Sequence, residues 1–118
     1  MKRATSMGAI ALSFLAGCVS APRPASDVEI ETAKSNLGAC LIRAIAQLDD
    51  GRSDAGSVGM AVESMCSVQF SQFAEANGRG LNPVAYNLYL QKLRPDQLEF
   101  ATRMVLEARA NRAHRNSN

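Results

Sequence analysis

Cys40 and Cys66 stand at equal distances on either side of Ser53, which lies in the middle of a run of turn-forming residues from Asp49 to Asp54. Each cysteine also falls on the apolar face of a helical pattern. Before the turn, Ile30, Ala33, Leu37, Cys40, Leu41, Ala44, Ile45 and Leu48 recur at steps of three and four, the spacing of one helix face. After it, the face runs through Val58, Met60 or Ala61, Val62, Met65, Cys66, Gln69, Phe70 and Phe73. In an antiparallel helical hairpin, positions equidistant from the turn lie at similar depth. The two cysteines therefore constrain the chain to fold back on itself with both sulfurs facing inward.

Local signals mark the ends of these helices. Asp27, Glu29 and Glu31 crowd the start of the first, where negative charge favours the positive end of the helix dipole. Asp49-Asp50-Gly51 ends it, with Gly51 suited to a left-handed backbone. Ser53 or Asp54 caps the second helix, and Asn77-Gly78-Arg79-Gly80 stops it. Asn82 followed by Pro83 opens a third helix to about Leu93, since proline is tolerated where no N–H bond is required. Its face is read with Val84, Leu88 and one of Tyr86 and Tyr89 inward, and Asn87 and Gln91 outward. Pro95 predicts a break at Arg94 and a fourth helix from Pro95 to about Arg112, with Leu98, Ala101, Met104, Val105 and Ala108 inside and Glu99, Arg103 and Glu107 outside. Strand patterns are nearly absent. The expected fold is all-α, a small bundle of about four helices whose first two form the hairpin.

The N-terminal segment is of another kind. Met1 to Arg3 is basic, and the apolar run Met7 to Ala16 is about half the roughly 20 residues a membrane-spanning helix needs, so it reads as a removable export signal. It closes on Leu15-Ala16-Gly17-Cys18, which resembles the lipobox of bacterial lipoprotein precursors. That resemblance implies cleavage between Gly17 and Cys18, a diacylglyceryl group on the Cys18 thiol and acylation of the new N-terminus. Val19, where an aspartate would signal retention, implies onward transport to the outer membrane, facing the periplasm. The competing site, Val19-Ser20-Ala21, would release a soluble chain without Cys18.

The expected organisation is a signal over 1–17, a lipidated cysteine and proline-containing tether over 18–26, a helical domain over 27–113 and a polar tail over 114–118. Loss of the signal removes Lys2 and Arg3, which leaves basic and acidic side chains equal in number. The precursor's alkaline balance is therefore no nucleic-acid signature. Ser20 to Ser26 holds two prolines and no large apolar residue; extended at roughly 3.1 Å per residue, it would lift the fold about 20 Å from the bilayer.

Export places Cys40 and Cys66 in an oxidising compartment, where such a pair forms a disulfide. The segment from Cys40 to Cys66, with Leu48-Asp49-Asp50-Gly51-Arg52-Ser53-Asp54-Ala55 at its bend, resembles small exported proteobacterial proteins with a disulfide-linked helical hairpin. That resemblance brings no catalytic residue with it.

Patterns that carry chemistry are weak. Cys40 and Cys66 lack the close C-x-x-C spacing that depresses a thiol pKa, and His114, the one histidine, sits in the polar tail. Asp49, Asp50 and Asp54 do not match a calcium loop, and Met60, Met65 and Met104 read as core filling rather than copper ligands. No metal, cofactor other than the Cys18 lipid, small-molecule substrate or nucleic acid is expected. Arg103, Arg109, Arg112 and Arg115 leave the last helix basic, either as a solvated end favoured by the dipole or as a docking patch for acidic lipid headgroups, cell-wall polymers or an acidic envelope protein. The expectation is a membrane-anchored, non-enzymatic interaction or structural module. The alternative is a soluble periplasmic thiol-redox or other enzyme-like factor using Cys40 and Cys66.

Overall fold

In the computed structural model, which describes residues 22–118, the chain is all-α: α1 (Asp27–Leu48), α2 (Ala55–Met65), α3 (Ser67–Gly78) and α4 (Pro83–Asn116), with no strand among the described residues. The segment carrying Leu15 to Cys18 lies outside the described residues.

The caps follow local chemistry. Ser26 opens α1 with a reciprocal box: its hydroxyl accepts from the Glu29 N–H at 3.3 Å, and the Glu29 carboxylate accepts from the Ser26 N–H at 2.7 Å. After Leu48 the turn is organised by Asp50, whose carboxylate accepts from the backbone N–H groups of Arg52 and Ser53, while Gly51 takes a φ of 73°. Asp54 caps α2 by accepting from the Ser57 N–H at 2.9 Å, and Asn82 caps α4 by accepting from the Ala85 N–H at 2.9 Å, with Pro83 in the first turn.

Two boundaries differ from the sequence expectation. The second helix is divided at Cys66, whose φ and ψ of −101° and 18° turn the axis between α2 and α3. The turn lets the two halves reach different partners, since α2 packs mainly on α4 and α3 mainly on α1. The expected break at Arg94 is absent, and α4 runs unbroken through Pro95 and on to Asn116, beyond the expected end at Arg112. A proline inside a helix removes one backbone hydrogen bond and crowds the carbonyl four residues earlier. Gln91, Arg94 and Pro95 are all exposed, so water can take up the freed carbonyl, while Ala101 and Val105 anchor the following turns in the core.

The hairpin is covalently closed. Cys40 and Cys66 form a disulfide with their Cα atoms 5.9 Å apart. Around it, Leu37, Leu41, Ala44 and Ile45 of α1 meet Val58 and Val62 of α2, Phe70 of α3, and Ala101 and Val105 of α4. Gly59 permits the close crossing of α2 over α4, since a Cβ there would stand 3.0 Å from the Thr102 Cα.

The first half of α4 faces the other way from the sequence reading. Val84 and Leu88, expected inside, are 71% and 61% exposed, whereas Tyr86 and Tyr89 are partly buried. This half-helix carries two apolar stripes, and Gly78 selects between them. It lacks a side chain where the Tyr86 ring packs, and a Cβ there would come within 2.5 Å of that ring. Met60, Met65 and Leu48 are likewise exposed rather than interior.

Candidate functional site

A groove of about 710 Å³ lies between α1, α3 and α4. Leu37 and Leu41 of α1, Phe70 and Phe73 of α3, and Leu93, Phe100 and Met104 of α4 wall it with carbon. Its charged groups are Glu31, Lys34, Asp96 and Arg103, two of each sign. The Arg103 guanidinium stands 5.4 Å from the centre of the Phe100 ring, a cation–π contact at the edge of the apolar wall. Volume and lining fall in the range of sites that bind apolar ligands or side chains.

The four arginines of the expected basic patch do not share one face. A helix turns 100° per residue, which puts Arg103 on the side opposite Arg112. Arg109 and Arg112 are committed to structure. The Asp49 side chain is fully buried, and its carboxylate accepts from Arg109 Nη2 at 2.7 Å, from Arg109 Nε at 3.1 Å, from Arg112 Nη2 and from the Gly51 N–H. Arg109 Nη2 donates also to the Ser53 carbonyl at 2.7 Å, so one guanidinium fastens α4 to the α1–α2 turn. With Arg109 as the leading cause, against the cost of burial, the Asp49 carboxyl is held down at about 2. Arg103 and Arg115 make no ion pair among the described residues.

A second clamp holds the opposite end. Glu29 pairs with Arg79 at 2.9 Å and with Arg23 at 3.1 Å, which ties the start of α1 to the end of α3 and to the segment before the helix. The Ser26 N–H, then Arg23 and Arg79, hold the Glu29 carboxyl at about 2. Part of the expected tether is therefore fixed to the domain: Arg23 by this pair, and Pro24 by packing against Gly80.

The other candidate residues stay apart. Cys66 is completely buried and Cys40 nearly so, each consumed in the disulfide. His114 is exposed near the end of α4, and its carbonyl accepts from the Ser117 hydroxyl. Met60 and Met65 are exposed on α2 while Met104 lines the groove. Among the described residues no group of three or more His, Cys, Asp or Glu side chains could hold a metal, and no helix is long and apolar enough to cross a membrane.

Sequence reasoning missed three features. The box of Ser26 and Glu29 was available as an S-x-x-E pattern. The pairing of Asp49 with Arg109 spans 60 positions and no local pattern announces it. The groove depends on which stripe of α4 turns inward, which Gly78 decides from another helix. Compared with known proteins, the chain matches no family model, no curated protein and no solved structure.

Proposed function

We propose that the chain is a lipid-anchored bacterial envelope protein whose helical domain is a non-enzymatic interaction module. The observation that carries this reading is Leu15-Ala16-Gly17-Cys18, placed at the end of the apolar run Met7 to Ala16. Two or more acyl chains hold a protein stably on a bilayer where one does not, so a triacylated Cys18 is a sufficient anchor. The Val19 that follows favours the outer membrane, facing the periplasm.

The architecture of the domain supports a binding role over a reaction. Its groove is walled by Leu, Phe and Met side chains, with charge only from four balanced ions, and this suits apolar contact better than group transfer. Cys66 is completely buried and Cys40 nearly so, which supports a brace over a redox pair, because exchange requires a thiolate to reach one of the sulfurs. The expected partner is an envelope protein or a cell-wall polymer.

The test combines metabolic labelling with fractionation. The wild-type chain incorporates palmitate and sediments with membranes, and Cys18→Ser loses the label and either stalls as the uncleaved precursor or is released as a soluble form. A labelled, membrane-bound Cys18→Ser product would refute the anchor. Affinity capture of the lipidated protein yields a stoichiometric envelope component if the domain is an interaction module. A Cys40–Cys66 pair that cycles in mild reductant while the fold persists would instead favour the thiol-redox factor.

A further inference from the structure

Val84 and Leu88, four positions apart on the first turns of α4, and Leu81, just ahead of its Asn82 cap, form an exposed apolar patch, with 71%, 61% and 44% of their surfaces open. Among the described residues no helix covers this patch, because α3 takes the opposite face of α4 through Gly78 and Tyr86. From Pro83 to Arg94 the charged residues are Lys92 and Arg94, with no acid. An apolar patch on a half-helix whose two charges are basic is the pattern of a segment lying in a membrane interface, and the acids of α4, Asp96, Glu99 and Glu107, lie in the half beyond it.

The position of the chain's entry into the fold selects the same end of the molecule. Pro24 packs against Gly80, the residue before Leu81, and a Cβ at Gly80 would stand 3.0 Å from the Pro24 ring. Arg23 is held by Glu29, which also grips Arg79 just ahead of that glycine. Only the link from Cys18 to Pro22 lies beyond these contacts, a reach of about 14 Å when fully extended. A lipid on Cys18 therefore brings the Leu81 end of the domain to the bilayer, while the turn bearing Asp49, Asp50 and Asp54 is at the other end of α1.

We propose that Leu81, Val84 and Leu88, flanked by Lys92 and Arg94, form a membrane-interface surface that lays the first half of α4 on an anionic phospholipid leaflet. The inference rests on the lipid-anchor reading. The anchor supplies residence on the membrane and this surface supplies orientation: the side chains enter the headgroup region, and the two cations meet lipid phosphates. A fixed orientation also sets how far the groove between α1, α3 and α4 stands from the lipid.

The experiment uses the full lipidated chain in vesicles of phosphatidylethanolamine and phosphatidylglycerol. An environment-sensitive fluorophore is placed on Leu88→Cys, or on Ala110→Cys near the far end of α4, with the native disulfide kept closed. Flotation first confirms that the protein is on the vesicles. The Leu88 label then emits to the blue and is quenched by nitroxide-bearing lipid, whereas the Ala110 label behaves as in water. Adding Lys92→Gln and Arg94→Gln lowers the quenching of the Leu88 label, as does replacing the anionic lipid by phosphatidylcholine. Floated protein whose Leu88 label is as wet as Ala110 overturns the surface and leaves the anchor standing. Intact chain that does not float overturns the anchor itself. Protection of the Leu88 label without vesicles, accompanied by dimeric mass, makes the occupant a second copy of the chain and also overturns the proposal.

Discussion

Cys40→Ala and Cys66→Ala each lower the stability of the domain by roughly 2–5 kcal/mol, the range for losing a native bridge from a small exported domain. The bridge closes a separation of 26 residues, for which the loop-entropy relation gives about 3.5 kcal/mol. A domain of this size has a total stability of only about 5–15 kcal/mol, so the variants unfold at markedly lower urea. The double variant resembles either single one, because one bond is lost once. Urea midpoints of the three variants check this. Additive losses would mean that each sulfur stabilises the fold independently of the other.

The ion pair between Asp49 and Arg109 is the second large effect. Asp49 is fully buried, and removing a partner from a buried pair costs about 3–5 kcal/mol in the extreme, since an uncompensated charge is left behind. Here Arg109 is 23% exposed, and Arg112 and the Gly51 N–H still reach the carboxylate. Arg109→Gln therefore costs less than that extreme, about 2–3 kcal/mol. Arg112→Gln costs less again because its side chain is more exposed. A double-mutant cycle between Asp49→Ala and Arg109→Gln gives a coupling on the order of 1–3 kcal/mol.

The same pair makes stability depend on acid. The Asp49 carboxyl is lowered from 3.8 to about 2 in the folded chain, so the unfolded chain binds protons first as pH falls. The contribution is complete above about pH 5 and is lost as pH drops through 4 toward 2. Glu29, held at about 2 by the Ser26 N–H and its two arginines, has the same sign over the same interval. Arg109→Gln flattens the acid limb of the stability curve, and an acid limb identical to wild type would contradict the role assigned to Asp49.

What could be read in the sequence was local. Asp54, Asn82-Pro83 and Gly51 act as caps or turn residues because each satisfies or bends the backbone a few residues away. The pairing of Cys40 and Cys66 was legible because hairpin symmetry and apolar faces agreed on it. What escaped depends on contacts between distant segments. Pro95 is tolerated because its turn is exposed and the following turns are anchored in the core. Cys66 divides its helix because the two halves have different partners. The basic C-terminal helix looked like one charged surface, yet Arg109 and Arg112 are taken by an aspartate 60 and 63 positions away, in a turn that sequence spacing cannot place beside them.

The measurement that bears most directly on the account is the mass of the N-terminal peptide of the mature protein, purified from bacterial membranes. The account predicts a peptide that begins at Cys18 and carries a diacylglyceryl group on sulfur, with a further acyl chain on the new amino terminus. A peptide beginning at Pro22 without lipid, from cleavage after Val19-Ser20-Ala21, would contradict it.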